Sequence, residues 1–200
     1  MSARTTRLLL VLAAFLAGLG TLFAIVLLVV RPETAAMVPS AAAIGGPFRL
    51  VDQNGQAVTD RDLKGEPYVV FFGFTHCPDV CPTTLMKLAQ VRKRAGLEGL
   101  RVLFVSVDPQ RDTAALLGLY LHAFDPAFLG LTGDPEPILT LAANFGVAAS
   151  RVQLPGGDYT MDHSAVLFLL DARARIAAIF TPPFEVPALA ADLRRAAPYL

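Results

Sequence analysis

The sequence predicts an α/β domain, a mixed sheet with helices on both faces, carried behind one N-terminal transmembrane helix. Three observations lead there. Apolar runs of strand length, Tyr68 to Phe74, Val102 to Val107 and Ala165 to Leu170, alternate with stretches of helical spacing. These runs are continuously apolar, as strands covered on both faces should be. Finally, Leu8 to Val30 contains no charged residue, with Arg4 and Arg7 before it and Arg31 and Glu33 after it.

As a helix, the 23 residues from Leu8 to Val30 rise roughly 34 Å, enough to cross a hydrocarbon core of about 30 Å. The preceding arginines place that end in the cytoplasm and the rest of the chain on the exported side. A cleaved signal peptide is the alternative, and the small-residue stretch Ser40 to Ala43 could host cleavage. Its apolar core is normally only about 7–15 residues, however, shorter than this run. On either reading the body of the protein sits where disulfides persist. Residues 1–30 are therefore read as an anchor. Residues 31–47, rich in Ala, Pro and Gly, are read as a linker lifting the domain off the membrane, and 48–200 as the folded domain. With 17 basic and 17 acidic residues the formal net charge is zero, and no basic stripe supports nucleic-acid binding.

Within the domain, Phe48 to Val51 and Ala57-Val58 flank Asn54-Gly55, a hairpin signal. Tyr68 to Phe74 is a buried strand. Thr83 to Leu97 carries Leu85, Leu88, Ala89 and Val91 at helical spacing, and Val102 to Val107 is a second buried strand. Thr113 to Phe124 reads as a helix with Asp112 as its N-cap. Phe128 to Leu131 is a short strand, and Pro137 to Phe145 a helix stopped by Gly146. Pro155-Gly156-Gly157 marks a turn at the tip of a hairpin. Ala165 to Leu170 and Ile176 to Phe180 are strands, and Glu185 to Ala196 is a closing helix. The order β-α-β, helical insertion, β-β-α gives the mixed sheet.

The two cysteines of the chain stand four apart in Gly73-Phe74-Thr75-His76-Cys77-Pro78-Asp79-Val80-Cys81-Pro82, at a strand-to-helix junction. Free N–H groups and the helix dipole lower a thiol pKa there, and Pro82 suits the first helical position. Three chemistries are open. A structural disulfide would close so short a loop that it stabilises by only about 2 kcal/mol. A dithiol redox pair fits the junction, although Cys-x-x-Cys is the usual spacing. A metal site needs a third donor. His122 lies in a helix among Leu119, Tyr120 and Phe124 and reads as a structural histidine. His76 adjoins Cys77 and could depress its pKa. His163, before the strand from Ala165, stands where loops can converge on the sulfurs. Two thiolates and an imidazole suit Cu(I), which accepts three donors, or Zn(II), with Asp79 or Asp162 as the fourth.

Three segments resemble the signatures of the Sco/SenC family. They are Thr75-His76-Cys77-Pro78-Asp79-Val80-Cys81-Pro82, Val105-Ser106-Val107-Asp108-Pro109-Gln110-Arg111-Asp112-Thr113, and Asp162-His163-Ser164 before an apolar strand. The resemblance runs from Phe48 to the C-terminus. It implies a thioredoxin-like fold with an insertion, and a membrane-anchored copper chaperone for cytochrome c oxidase assembly. It implies Cys77, Cys81 and His163 as ligands of a copper ion, Cu(I), and Asp108 as a site-supporting or partner-facing acid. An aspartate before proline also caps turns. The implied partners are cytochrome c oxidase subunit II and other copper chaperones. The exported side is the bacterial periplasm or the equivalent intermembrane space. A thiol-disulfide oxidoreductase, with Cys77 and Cys81 as its redox-active pair, is the alternative function.

Overall fold

The computed structural model describes residues 7, 16–20, 45–94 and 96–196. The chain divides into two compact units, residues 1–42 and 43–200. In the first, residues 16–20 are helical and exposed. The rest of the expected anchor over Leu8 to Val30, and the expected linker up to residue 44, lie outside the described residues. Among the described residues no helix is long and apolar enough to cross a membrane.

Among its described residues the second unit contains nine strands: β1 (Arg49–Asp52), β2 (Ala57–Thr59), β3 (Tyr68–Gly73), β4 (Arg101–Ser106), β5 (Leu129–Thr132), β6 (Ala149–Gln153), β7 (Tyr159–His163), β8 (Leu167–Leu170) and β9 (Ile176–Phe180). Its helices are α1 (Val80–Arg94), α2 (Ala114–His122), α3 (Pro135–Asn144) and α4 (Val186–Ala196). Seven strands form one sheet in the order β2-β1-β5-β4-β3-β8-β9, and β6 and β7 form a separate antiparallel hairpin. β3, β4 and β5 are parallel; the other pairings are antiparallel.

β3 lies between β4 and β8, and all six of its residues are buried. That position explains its unbroken apolar sequence, since no face is left for polar residues. Phe71, Phe104 and Gly130 are register neighbours on one face. There α1 approaches Gly73 through Cys81, and α2 covers Gly130 with Leu117 and Leu121. On the opposite face Phe72 and Phe168 meet Phe145, at the end of α3, with ring centroids 5.3 and 5.0 Å away. Helices therefore cover both faces, as the sequence predicts. α4 packs beside α1 and buries Leu189, Ala190 and Leu193.

Several boundaries differ from expectation, for local reasons. α1 begins at Val80, so Pro82 is its third residue; a proline is tolerated throughout the first turn, where backbone N–H groups have no helical acceptor. β8 begins at Leu167, and His163 instead closes β7. The N-cap of α2 is Thr113, whose hydroxyl accepts the Leu116 N–H at 3.3 Å, and not Asp112.

Asp112 has turned inward and is fully buried. Its carboxylate accepts the Thr75 N–H at 3.0 Å, the Thr75 hydroxyl at 2.6 Å and the Ser106 hydroxyl at 2.6 Å. Its carbonyl accepts the Thr132 hydroxyl at 2.9 Å. One side chain thus joins the ends of β3 and β4, and its backbone adds β5. Asp112→Ala leaves one N–H and two hydroxyls without their acceptor. Each orphaned buried donor costs about 1–3 kcal/mol. The expected loss in urea-denaturation stability is about 3 kcal/mol, and a loss below about 1 kcal/mol would contradict this role.

Candidate metal centre

Parallel strands place their carboxyl ends on one edge of a sheet, where functional loops gather. Gly73 and Ser106 are register partners at that edge, and the chain leaves β3 there to enter α1. β8 runs antiparallel to β3 and starts opposite Phe71, so the hairpin that precedes it reaches the same edge. This topology brings together residues far apart in sequence. Sγ of Cys77, Sγ of Cys81 and a ring nitrogen of His163 lie within 4.8 Å of one another.

Cys81 is fully buried and Cys77 half-buried, and both are free thiols. Gly73 makes room for this arrangement. A Cβ at that position would stand 2.8 Å from the Cys81 sulfur and 2.6 Å from the Phe104 ring. Cys81 also donates its backbone N–H to the Cys77 sulfur at 3.4 Å. Nε2 of His163 is 3.5 Å from the Cys81 sulfur, and its Nδ1 is 3.3 Å from the Ser164 carbonyl. Nε2 is thus the ring nitrogen that faces the sulfurs. Phe74 holds the imidazole edge to face at 5.6 Å. A cleft of about 200 Å³, lined by Cys77, Pro78, Val80, Met161 and His163 among others, opens onto the group.

The two sulfurs divide one proton unequally. A hydrogen bond from the Cys81 thiol holds the Cys77 pKa down to about 5, against the opposing effect of burial, and the Cys81 N–H reinforces it. The same hydrogen bond, together with burial, pushes the Cys81 thiol well above its ordinary range. At neutral pH the pair is thiolate at Cys77 and thiol at Cys81.

The other sequence candidates fall elsewhere. His76 is half-exposed, 3.0 Å from the Thr75 hydroxyl and 3.8 Å from Asp112. His122 is exposed at the end of α2. Asp79 is exposed, and it accepts the Thr83 N–H and hydroxyl at the start of α1. Asp162 is exposed at the cleft. Among the described residues neither acid joins the donor group, so neither completes a four-donor zinc site. Asp108 is 2% exposed. Its carboxylate accepts from the Tyr159 hydroxyl at 2.8 Å and from Arg111 Nε. Its carbonyl, and not its side chain, closes the turn to Arg111 and Asp112.

Sequence reasoning missed Asp112 as the hub, as well as Gly73 and Tyr159. A signal existed for Asp112: three charged residues, Asp108, Arg111 and Asp112, crowd a short link between a buried strand and a helix, where not all can stay solvated. Nothing local marks Tyr159.

The SCO1/SenC family profile matches residues 36–198. The protein SCO1 homolog 1, mitochondrial, of Arabidopsis thaliana is 39% identical over 157 residues, covering 76% of this chain and 47% of its own length. The chain thus spans about half of that relative. The solved structure of Bradyrhizobium japonicum ScoI with copper bound is 47% identical, with a TM-score of 0.71, covering 77% of this chain and 99% of that one. Arabidopsis thaliana ScoI with copper bound is 34% identical, with a TM-score of 0.74, covering 79% and 100%. The fold is the thioredoxin-like α/β fold of these structures.

Cys77 should alkylate at a rate that is flat through neutral pH and falls only as pH approaches about 5, because its thiolate persists until then. An ordinary thiol would instead keep gaining reactivity up to about pH 8.5. Iodoacetamide kinetics on the reduced chain, with the site mapped by mass spectrometry, read this directly. A rate for Cys77 still climbing above pH 8 would contradict the assigned proton.

Proposed function

The chain belongs to the SCO1/SenC family, and from that membership and the donor geometry we propose that it is a membrane-anchored copper chaperone. It takes up Cu(I) through Cys77, Cys81 and His163 and delivers it to the binuclear copper site of cytochrome c oxidase subunit II, receiving the ion from other copper chaperones. The observation that carries this reading is the cluster of two sulfurs and one nitrogen within 4.8 Å, without a carboxylate. Thiolate and imidazole suit a soft ion; three donors satisfy Cu(I), whereas structural Zn(II) sites close with four. The copper-bound relatives and the family's link to oxidase assembly support the same cargo and acceptor.

The donors contribute differently. Cys77, half-exposed and already ionised, meets the ion first. Cys81 gives up its proton as the ion moves inward, and His163 offers Nε2 from a separate hairpin. A donor on its own element can be withdrawn without disturbing the sulfurs, which provides a route for release to an acceptor. The uncharged run Leu8 to Val30 supports an anchor with its N-terminus in the cytoplasm and the domain on the exported side. Residues 1–30 would then be the anchor, 31–47 the linker and 48–200 the copper-binding domain.

One observation favours a second reading, a thiol-disulfide reductase. A half-exposed low-pKa thiolate beside a buried thiol is the asymmetry of an attacking and a resolving cysteine. In that chemistry Cys77 attacks a partner disulfide and forms a mixed disulfide. Cys81 then displaces the partner thiolate, leaving Cys77–Cys81 oxidised and the partner reduced by two electrons.

The reduced full-length chain, kept anaerobic in detergent, should bind one Cu(I) in competition with a chromophoric chelator. Near pH 7 loading should release about one proton, because Cys77 has none to lose and Cys81 has one. Cys77→Ser and Cys81→Ser should each collapse binding. His163→Ala should weaken it while leaving the Cys77–Cys81 disulfide able to form. Retention of full affinity and full oxidase assembly by His163→Ala would favour the reductase.

A further inference from the structure

The hairpin that carries His163 is held by a clamp built on Tyr159. Alternation along β7 puts Tyr159, Met161 and His163 on one face. His163 reaches the sulfurs from that face, and Tyr159, four residues back, reaches the Asp108 segment. Arg111 and Arg151 each place the guanidinium carbon 3.8 Å from the centre of the Tyr159 ring. Two groups that large cannot share one face, so the ring lies between them. Arg151 gets there from the neighbouring strand: it pairs with Met161, diagonal to Tyr159 on the same face.

The clamp is tied at both ends. The Tyr159 hydroxyl donates to Asp108 at 2.8 Å, and Arg111 Nη1 donates to the Tyr159 carbonyl at 2.9 Å. Arg111 Nε binds the other Asp108 oxygen, and Arg151 donates to Gln110. Arg111 Nη2 is buried with no hydrogen-bond partner; against an aromatic face the ring electrons take that place. Asp158 adds a contact to Arg111 at 3.5 Å. Ala149 and Met161 give the hairpin apolar packing. Apart from contacts within the hairpin and to the adjoining Ser164, and that of His163 to Cys81, its polar side-chain ties among the described residues converge on residues 108–111.

We propose that Tyr159, held between Arg111 and Arg151 and bonded to Asp108, is a positioning residue that sets where His163 stands relative to Cys77 and Cys81. The clamp fixes one end of β7 while the link to β8 fixes the other, and the imidazole is carried between them. This rests on the copper-site reading for its effect on the ion, but not for its effect on the metal-free imidazole.

The test uses the reduced full-length chain in detergent and six variants: Tyr159→Ala, Tyr159→Phe, Arg151→Ala, His163→Ala, and Tyr159→Ala or Arg151→Ala each combined with His163→Ala. Groups that orient a metal ligand are typically worth 10–100-fold in affinity. Tyr159→Ala should therefore weaken Cu(I) binding by about 10–100-fold, and Tyr159→Phe, which keeps the ring between the guanidinium groups, by less. Each double variant should bind no more weakly than His163→Ala alone, because the clamp acts through that ligand. Wild-type affinity in Tyr159→Ala, or losses that multiply in either double variant, would overturn the proposal. Arg151→Ala, at an exposed position, removes half the sandwich without opening the core, and should give the same non-additivity if Tyr159→Ala does not fold. Independently of copper, the metal-free His163 ring resonances in Arg151→Ala and Tyr159→Ala should move toward those of a solvated histidine; unchanged resonances would overturn it. If the wild-type chain binds no Cu(I), the copper reading fails while the metal-free resonances still decide the clamp.

Discussion

A buried carboxyl group must be satisfied by hydrogen bonds, and Asp112 takes its bonds from both sides of the site. Thr75 belongs to the loop that carries Cys77, Ser106 ends the neighbouring strand, and Thr132 reaches the Asp112 backbone from the next. Beyond the carboxyl ends of β3 and β4 the strand ladder stops, and it no longer holds the loops in place. Here one side chain takes over that task, and the position of Cys77 depends on it. The same link between β4 and α2 supplies Asp108 and Arg111, which hold the hairpin. A single stretch of residues, 106–112, therefore supports the sulfurs on one side and the imidazole on the other.

The sulfurs add an electronic division of labour. Cys81 lies in the first turn of α1 against Gly73, where water is excluded and a second negative charge is disfavoured. Cys77 is half-exposed and accepts from Cys81, so it carries the charge. On the proposed function, a soft cation held by both sulfurs would remove the conflict by replacing the shared proton, so that metal uptake and release of the Cys81 proton would be one event.

Much of this was legible in the sequence. The strands of the core announced themselves as unbroken apolar runs because they are covered on both faces. Cys77, Cys81 and His163 could be nominated from donor chemistry and from segments resembling a known family. Other features depend on tertiary contacts that no local pattern encodes. Asp112 looked like an N-cap because its neighbour Thr113 begins a helix, and only the fold reveals that Thr113 takes that role while Asp112 turns inward. The sequence places His163 just before the strand from Ala165; it also ends β7, since the hairpin's pairing continues through Ala149 opposite His163. Asp108 presented two options, a turn cap or a site acid. Its burial and its bonds to Tyr159 and Arg111 are set by a hairpin some fifty residues away. The anchor over Leu8 to Val30 rests on the sequence itself.

If two thiolates and one imidazole converge on a single ion, X-ray absorption at the copper edge of the Cu(I)-loaded reduced chain should show it. Two sulfurs and one nitrogen are expected around the copper, with outer-shell imidazole scattering that disappears in His163→Ala. A shell of sulfur alone, or a nitrogen signal that survives that substitution, would contradict it.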